Sequence, residues 1–133
     1  MLIKNHRAYR DYLIIEEKEA GVSLLGPEVK SLRAGQATLD NSFIEMNKKG
    51  FFLNNAYIAP YSASFIKINP RRKRQLLLKE QEILSWQNKV QQKKLTIIPL
   101  EWYNKGRLIK LKIGLGKKKK VKKRLKREML ATN

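Results

Sequence analysis

The chain contains no cysteine among its 133 residues, which excludes disulfide bonds, thiolate zinc sites and a cysteine nucleophile. No apolar run is long enough to span a bilayer, and the N-terminus lacks the apolar segment of a signal peptide. The single histidine, His6, lies in an N-terminal stretch that we expect to be mobile, and one histidine cannot form a histidine metal cluster. These absences predict a cytoplasmic protein without a metal.

Acidic residues are also scarce, and Glu16, Glu17 and Glu19 form the only group. Alternation along a strand places Glu17 and Glu19 on one face, where they resemble a catalytic carboxylate pair. A solvated strand end is the more ordinary interpretation. The sequence contains neither a phosphate-binding loop nor a dinucleotide fingerprint. We therefore predict a binding protein that uses no cofactor, and not an enzyme.

Positive charge is the dominant feature of the composition. The chain has 30 Lys and Arg residues against 11 acidic ones, a net charge of +19. Residues 116–133, which begin GKKKKVKKRLKREML, hold nine basic residues and one Glu, or +8, which leaves +11 for residues 1–115. Because both parts are basic, one large polyanion is the expected partner. Nucleic acid is the first candidate and an anionic membrane is the second.

The strand signals run through most of residues 11–113. Two short strands are expected over 11–17 and 20–26, with a bend at Gly21 between them. The spacing of SFIEM, NKKG and FFLN predicts a hairpin, and AYIAP predicts a short strand after it. A second hairpin is expected from LTIIPLEWY and RLIKLKIG around Gly106.

Two helices are predicted. PEVKSLRAG has Pro27 at its start and Gly35 just past its end, and its Lys30 and Arg33 face outward together. The second helix is expected over KEQEILSWQNKVQQKK, whose apolar residues have helical spacing. Its Trp86 could be a core residue or a platform on which bases stack, and we favour the core residue. With six or seven short strands, these helices favour a mainly β, antiparallel OB-like barrel, although an open α+β sheet remains an alternative.

Four stretches together resemble the SmpB (SsrA-binding protein) family in order and spacing, over about residues 5–118. They are EAGVSLLGPEVKSLRAG, NPRRKRQLLL, LTIIPLEWYNKGRLIKLKIG and the GKK that follows. The resemblance implies an OB-like barrel of about six strands with two or three flanking helices over residues 1–115, and a basic C-terminal tail over 116–133. It implies binding to the tRNA-like domain of transfer-messenger RNA (tmRNA) and its delivery to stalled ribosomes for trans-translation.

The resemblance also implies which residues contact RNA. The acidic position before the Ala-Gly pair falls on Glu19, and the KLLLN-like stretch falls on Leu77 and Lys79, where Lys replaces the Asn or His often present. A carboxylate accepts hydrogen bonds from base or ribose donors, which Lys and Arg cannot do. The predicted RNA-binding residues are Arg7, Glu19, Lys30, Arg33, Arg71, Arg72, Arg74, Leu77 and Lys79.

In the family the tail is disordered when free and helical in the messenger channel of the small ribosomal subunit. The tail here is rich in helix formers, but its like charges repel each other, so a helix is expected only beside phosphates. The residues predicted to bind the ribosome are Lys117, Lys118, Lys119, Lys120, Lys122, Lys123, Arg124, Lys126 and Arg127.

The tail departs from the family at two positions, with Val121 in place of the usual Asp and Lys123 in place of Arg. Further partners implied by the resemblance are small-subunit ribosomal RNA and, through aminoacylated tmRNA, elongation factor Tu and alanyl-tRNA synthetase. A different basic OB-fold RNA-binding or ribosomal protein of translation is the alternative. A membrane-surface helix is a weaker one, because the apolar stripe of the tail is thin and lacks Trp and Phe.

Overall fold

A computed structural model of the chain describes residues 1–61, 63 and 65–119. Three helices lie within these residues: α1 (His6–Asp11), α2 (Gly26–Arg33) and α3 (Glu80–Lys93). The strands are β1 (Leu2–Lys4), β2 (Tyr12–Val22), β3 (Ala37–Thr38), β4 (Phe43–Asn47), β5 (Gly50–Asn54), β6 (Tyr57–Ile58), β7 (Arg74–Leu77), β8 (Thr96–Lys105) and β9 (Leu108–Lys118). None of the described helices is both long enough and apolar enough to cross a membrane.

Seven strands form one antiparallel sheet in the order β1-β8-β9-β2-β7-β5-β4, and β3 and β6 form a separate two-stranded ribbon. The mainly β, antiparallel OB-like fold with flanking helices is thereby confirmed. Among the described residues the sheet does not close into a complete barrel, because β1 and β4 are its two edges and do not pair. The sheet curls until β4 approaches β8, but β1 already pairs with the free edge of β8.

The region around Gly21 corrects the prediction of two short strands. β2 is one continuous strand, and its bulge lies between Ile14 and Glu16. Gly21 instead marks the point where β2 changes partner, from β9 to β7, and it pairs directly with Leu77. A Cβ atom at position 21 would lie 3.2 Å from Leu77 Cβ, so glycine permits this close approach.

The N-terminus is ordered into a helix, which corrects the expectation of a mobile stretch around His6. Asn5 caps α1, since its Oδ1 accepts the Ala8 N–H at 3.3 Å, and its Nδ2 donates to the Pro99 carbonyl at 2.8 Å. Ala8 then packs on Ile98 and Leu100 of β8, forming a small core on the outer side of the sheet. The cap and this packing fix α1 against β8.

The main core lies between the inner face of the curled sheet and α3. Trp86 of α3 is completely buried there, which confirms its interpretation as a core residue. Two ion pairs tie the same helix to β2: Lys89 Nζ lies 2.9 Å from Glu16 Oε2, and Lys18 Nζ lies 3.5 Å from Glu82 Oε2. α3 therefore closes the inner face and leaves the opposite face of the sheet outward.

Both predicted hairpins and the helix α2 are confirmed. β4 and β5 join through a turn that ends at Gly50, with φ 127°, and β8 and β9 join through Gly106, with φ 61°. Gly35, just past the end of α2, has φ 73°. A side chain would be strained at such φ values, so these glycines allow each element to end where the sequence predicts.

Strand β9 continues past the predicted domain boundary at residue 115. Lys117 and Lys118 pair with Leu13 and Tyr12, and the Lys119 N–H donates to the Asp11 carbonyl at 2.9 Å. The first residues of the predicted tail thus form part of the sheet. The other tail residues predicted to bind the ribosome lie outside the described residues: Lys120, Lys122, Lys123, Arg124, Lys126 and Arg127.

Candidate nucleic-acid interface

The outer face of the sheet brings together the predicted residues Glu19 and Leu77. Directly opposed residues in an antiparallel pair share a face, and the register pairs Glu19 with Lys112 and Gly21 with Leu77. Glu19 lies two residues before Gly21 on the same strand, so its side chain emerges on the same side as that of Leu77. The two family positions therefore belong to one continuous surface.

Glu19 is held in place by two donors from the β8–β9 hairpin. The Tyr103 hydroxyl donates to Oε2 at 2.6 Å, and Lys105 Nζ donates to Oε1 at 3.1 Å. The hydrogen bond from Tyr103, and after it the one from Lys105, hold the pKa of Glu19 below its ordinary value. The side chain is 34% exposed, so each oxygen retains room for another donor. The carboxylate is a fixed, ionised acceptor rather than a freely solvated strand end.

The hydroxyl that holds Glu19 is itself perturbed. Burial, followed by the hydrogen bond to Glu19 and its negative charge, raises the pKa of Tyr103 above its ordinary value. The hydroxyl therefore remains protonated and donating at neutral pH.

Leu77 and Lys79 border a groove beside this acceptor. Leu77 is 57% exposed at the end of β7, and Lys79 directly precedes α3. The Lys79 N–H donates to Glu82 Oε1 at 3.0 Å, which fixes the start of the helix. The groove has a volume of about 650 Å³ and runs between β7, the start of α3 and the turn of the β4–β5 hairpin. An apolar side chain, which can contact a base, and a cation, which can contact a phosphate, thus lie side by side.

The two basic residues of α2 lie elsewhere on the surface. Lys30 Nζ lies 5.1 Å from the centroid of the Tyr61 ring, and Arg33 Nη2 donates to the Arg107 carbonyl at 2.9 Å. Arg107 belongs to the same turn as Lys105, so Arg33 supports the hairpin that holds Glu19. Both α2 side chains are exposed, as predicted.

The basic run at 71–74 divides between surface and interior. Arg71 is exposed, where it donates to the Asn55 carbonyl at 3.1 Å and lies 5.2 Å from the Tyr57 ring centroid. Arg72 is only 26% exposed, and its guanidinium faces Glu28. Arg71 is therefore accessible to a polyanion, whereas the guanidinium of Arg72 is largely engaged by Glu28.

The assignment of Arg74 to RNA contact is wrong. Its side chain is 0% exposed, and each of its three guanidinium nitrogens donates a hydrogen bond inside the protein. Nε donates to Glu28 Oε2 at 2.6 Å, Nη1 to the Ala56 carbonyl at 2.8 Å and Nη2 to the Pro70 carbonyl at 3.0 Å. The residue holds α2, Ala56 and Pro70 against β7. Side chains alternate between buried and exposed along β7, and this alternation turns Arg74 inward.

Glu28 is the shared partner of this buried network. It is 4% exposed, and it accepts from Arg72 Nη2 at 2.6 Å, from Arg74 Nε and from the Leu25 N–H at 2.9 Å. Burial opposes ionisation of this carboxyl, but the hydrogen bonds from Arg72, the Leu25 N–H and Arg74 outweigh it and hold its pKa below the ordinary value. Glu28 is therefore a structural anion.

The remaining predicted residues lie away from Glu19 in sequence but remain on the surface. Arg7 of α1 is exposed, and its Nη1 donates to Asn41 Oδ1 at 3.1 Å. Lys117 and Lys118 are exposed at the end of β9, and Lys119 Nζ lies 3.4 Å from the Tyr9 carbonyl. The structure does not gather these residues with Glu19 and Leu77 into one hydrogen-bonded cluster.

Sequence reasoning missed Tyr103 and Lys105 as partners of Glu19, and Glu28 as the partner of the arginines. The available signal for Tyr103 was the register of the β8–β9 hairpin, which is fixed by its turn. This register places Tyr103 on the second strand from β2, close to Glu19. No local pattern indicated Glu28, because its partners follow 44 and 46 positions later. Among the described residues, no group of three or more His, Asp or Glu side chains could hold a metal ion.

Comparison with known proteins identifies the family. Residues 2–132 match the family described as SmpB protein. The chain belongs to the SmpB family. It is 44% identical over 121 residues to the SsrA-binding protein of Thermus thermophilus, covering 90% of this chain and 84% of that protein. It is 48% identical over 116 residues to the SsrA-binding protein of Persephonella marina, covering 86% and 76%.

The fold agrees with that of a solved SmpB-family structure. A structure described as "tmRNA-SmpB: a journey to the center of the bacterial ribosome" is similar with a TM-score of 0.72 and 44% sequence identity. The similarity covers 87% of this chain and 82% of that chain. The resemblance predicted from the four sequence stretches is confirmed.

Proposed function

We propose that this SmpB-family chain binds the tRNA-like domain of tmRNA and delivers it to stalled ribosomes. The observation that carries the proposal is the fixed carboxylate of Glu19 beside the exposed Leu77, on the outer face of a chain with net charge +19. Positive charge attracts any RNA, whereas an oriented acceptor and an apolar contact select among RNAs. The protein acts by binding and positioning RNA, not by catalysis.

The geometry explains how a carboxylate contributes within a basic surface. An acid facing phosphates costs binding energy unless it receives a hydrogen bond, and Glu19 is already held by a hydroxyl and an ammonium group. The side chain is 34% exposed, so base or ribose donors of the bound RNA can reach its remaining lone pairs. Arg7, Lys30, Arg33 and Arg71 supply positive charge around this centre and draw in the phosphate backbone.

The basic tail is assigned to the ribosome. On this proposal Lys117, Lys118 and Lys119, at the end of β9, lead into the residues that bind small-subunit ribosomal RNA. Elongation factor Tu and alanyl-tRNA synthetase meet the complex through the aminoacylated RNA, and the whole cycle takes place in the cytoplasm. The support for this part is the charge of residues 116–133 and the family itself.

The test is filter binding of the full chain to the isolated tRNA-like domain, with a hairpin RNA of equal length as the competitor. We expect the tRNA-like domain to be preferred at physiological salt, and the preference to shrink in Glu19→Gln. Equal binding of the two RNAs would remove the basis of the proposal and favour a general RNA-binding protein.

A further inference from the structure

The groove beside Leu77 has a second wall, formed by the turn of the β4–β5 hairpin. Lys48 and Lys49 lie at the tip of this turn, opposite Lys79 at the start of α3. Asn47 Oδ1 accepts the Lys49 N–H at 2.7 Å, and Gly50 completes the turn with φ 127°. The backbone of the tip is therefore fixed, and both lysine side chains extend from a defined position.

Lys48, Lys49 and Lys79 differ from three other surface lysines, which are held by carboxylates. Lys73, Lys105 and Lys112 each lie within 3.1 Å of a carboxylate oxygen. In the described part of the chain, the ammonium groups of Lys48, Lys49 and Lys79 make no ion pair with a carboxylate. The positive charge of the groove is thus left for an external anion.

Two acids also line the groove, and they are not equivalent. Glu82 accepts the Lys79 N–H through Oε1 and pairs with Lys18 through Oε2, so its charge is already balanced. Glu80 is exposed at the first position of α3, and it opposes an incoming anion. An anion is therefore favoured on the hairpin side of the groove, away from Glu80.

The floor of the groove is apolar. Leu77 and Leu84 are both more than half exposed, and Ile83 lies beneath the turn near Gly50. A groove of about 650 Å³ lies within the range of about 300–1,000 Å³ that small ligands occupy. Cations along one wall and apolar carbon along the floor match the phosphate and the base or sugar of a nucleotide.

We propose that this groove holds one nucleotide of the RNA that lies across Glu19 and Leu77, with its phosphate on Lys48 and Lys49. The proposal rests on the proposed function, since it extends the same RNA-binding surface past Leu77 to the hairpin tip. The outer face connects the two sites, because Gly21, two residues after Glu19, pairs directly with Leu77. Lys48 and Lys49 thus join the residues that contact the tRNA-like RNA.

The experiment measures the salt dependence of binding of the full chain to the isolated tRNA-like domain. Lys48→Ala/Lys49→Ala removes the hairpin cations and keeps Asn47 and Gly50, which form the turn. A phosphate contact contributes about 0.7–0.9 to the slope of log affinity against log salt, so loss of the one phosphate held by this lysine pair should lower the slope by about 0.7–0.9. Lys4→Ala/Lys93→Ala, two exposed lysines outside the groove, changes the net charge equally and should leave the slope nearly unchanged.

A cross-link locates the effect, and the absence of native cysteine makes single-cysteine labelling possible. A photoreactive group on Leu84→Cys, at the groove, should cross-link to the tRNA-like RNA, whereas one on Gln92→Cys, near the far end of α3, should not. If the two double variants have equal slopes and position 84 gives no cross-link, the groove does not bind the RNA, whereas the proposed function stands. Failure of the unsubstituted chain to prefer the tRNA-like domain overturns both.

Discussion

Replacing Glu28 by alanine removes the common partner of Arg72 and Arg74, and we expect a large loss of stability. The guanidinium of Arg74 is wholly buried, so the variant leaves its charge uncompensated and its Nε without an acceptor. The carbonyls of Ala56 and Pro70 still accept from its other nitrogens, which spares part of the cost. Breaking a buried ion pair costs about 3–5 kcal/mol, and we expect the lower half of that range.

Urea unfolding of the full chain measures this loss. A slope of about 1–3 kcal/mol per molar means that the midpoint should fall by more than about 1 M in Glu28→Ala. Glu28→Gln keeps the shape and one acceptor oxygen, so its loss should be smaller. Glu80→Gln, which removes an exposed carboxylate from the same chain, is the matched control and should unfold close to the unsubstituted protein. A midpoint unchanged in Glu28→Ala refutes the structural role assigned to this network.

The same carboxyl predicts a pH dependence. Because the folded protein lowers the pKa of Glu28, its contribution to stability is complete above the ordinary Glu pKa of about 4.3 and is lost as pH falls through the lower folded value. The difference in unfolding free energy between the unsubstituted chain and Glu28→Gln should therefore shrink below pH 4. A difference that stays constant across this window contradicts an ionised Glu28 in the folded state.

Three further predictions concern RNA. Glu19→Gln should weaken binding to the tRNA-like domain although it makes the chain more positive. Glu80→Gln, which changes the net charge equally, should strengthen this binding or leave it unchanged. Filter binding shows in which direction each variant changes the affinity. Tyr103→Phe should weaken the same binding, because it removes the hydroxyl that holds the Glu19 carboxylate. The urea midpoint of this variant should fall much less than that of Glu28→Ala. Alanine at a set of tail lysines should flatten the salt dependence of ribosome binding and leave binding of isolated tmRNA nearly intact; the lysines are Lys117, Lys118, Lys122 and Lys123.

The local elements of the fold could be predicted because their signals are local. The turn glycines Gly50 and Gly106 mark both hairpins, and the helical spacing around Trp86 marks α3. The helix α1 was missed because so short a helix is stabilised by distant contacts: Asn5 donates to the Pro99 carbonyl, 94 positions away, and Ala8 packs on β8. The open edge of the sheet could not be predicted for a similar reason, since it depends on the pairing of β1 with β8, which lies near the other end of the sequence.

The candidate site could be predicted only where the family motif carried it. Glu19 and Leu77 were placed by resemblance, and the sheet register then brought them to one face. The basic run at 71–74 reads as uniform surface charge, and sequence alone could not show that Arg74 turns inward to Glu28. The groove lysines at 48 and 49 were read only as turn residues, because their relation to Lys79 depends on how the hairpin packs beside β7 and α3.

The identity of the RNA that co-purifies with the full chain from cells tests the central claim most directly. Sequencing that RNA after a stringent salt wash should return one species with a tRNA-like end, and its recovery should fall in Glu19→Gln but not in Glu80→Gln. Stoichiometric ribosomal RNA in every subunit preparation, with no enrichment of a tRNA-like species, would contradict tmRNA binding and support the alternative of a ribosomal protein.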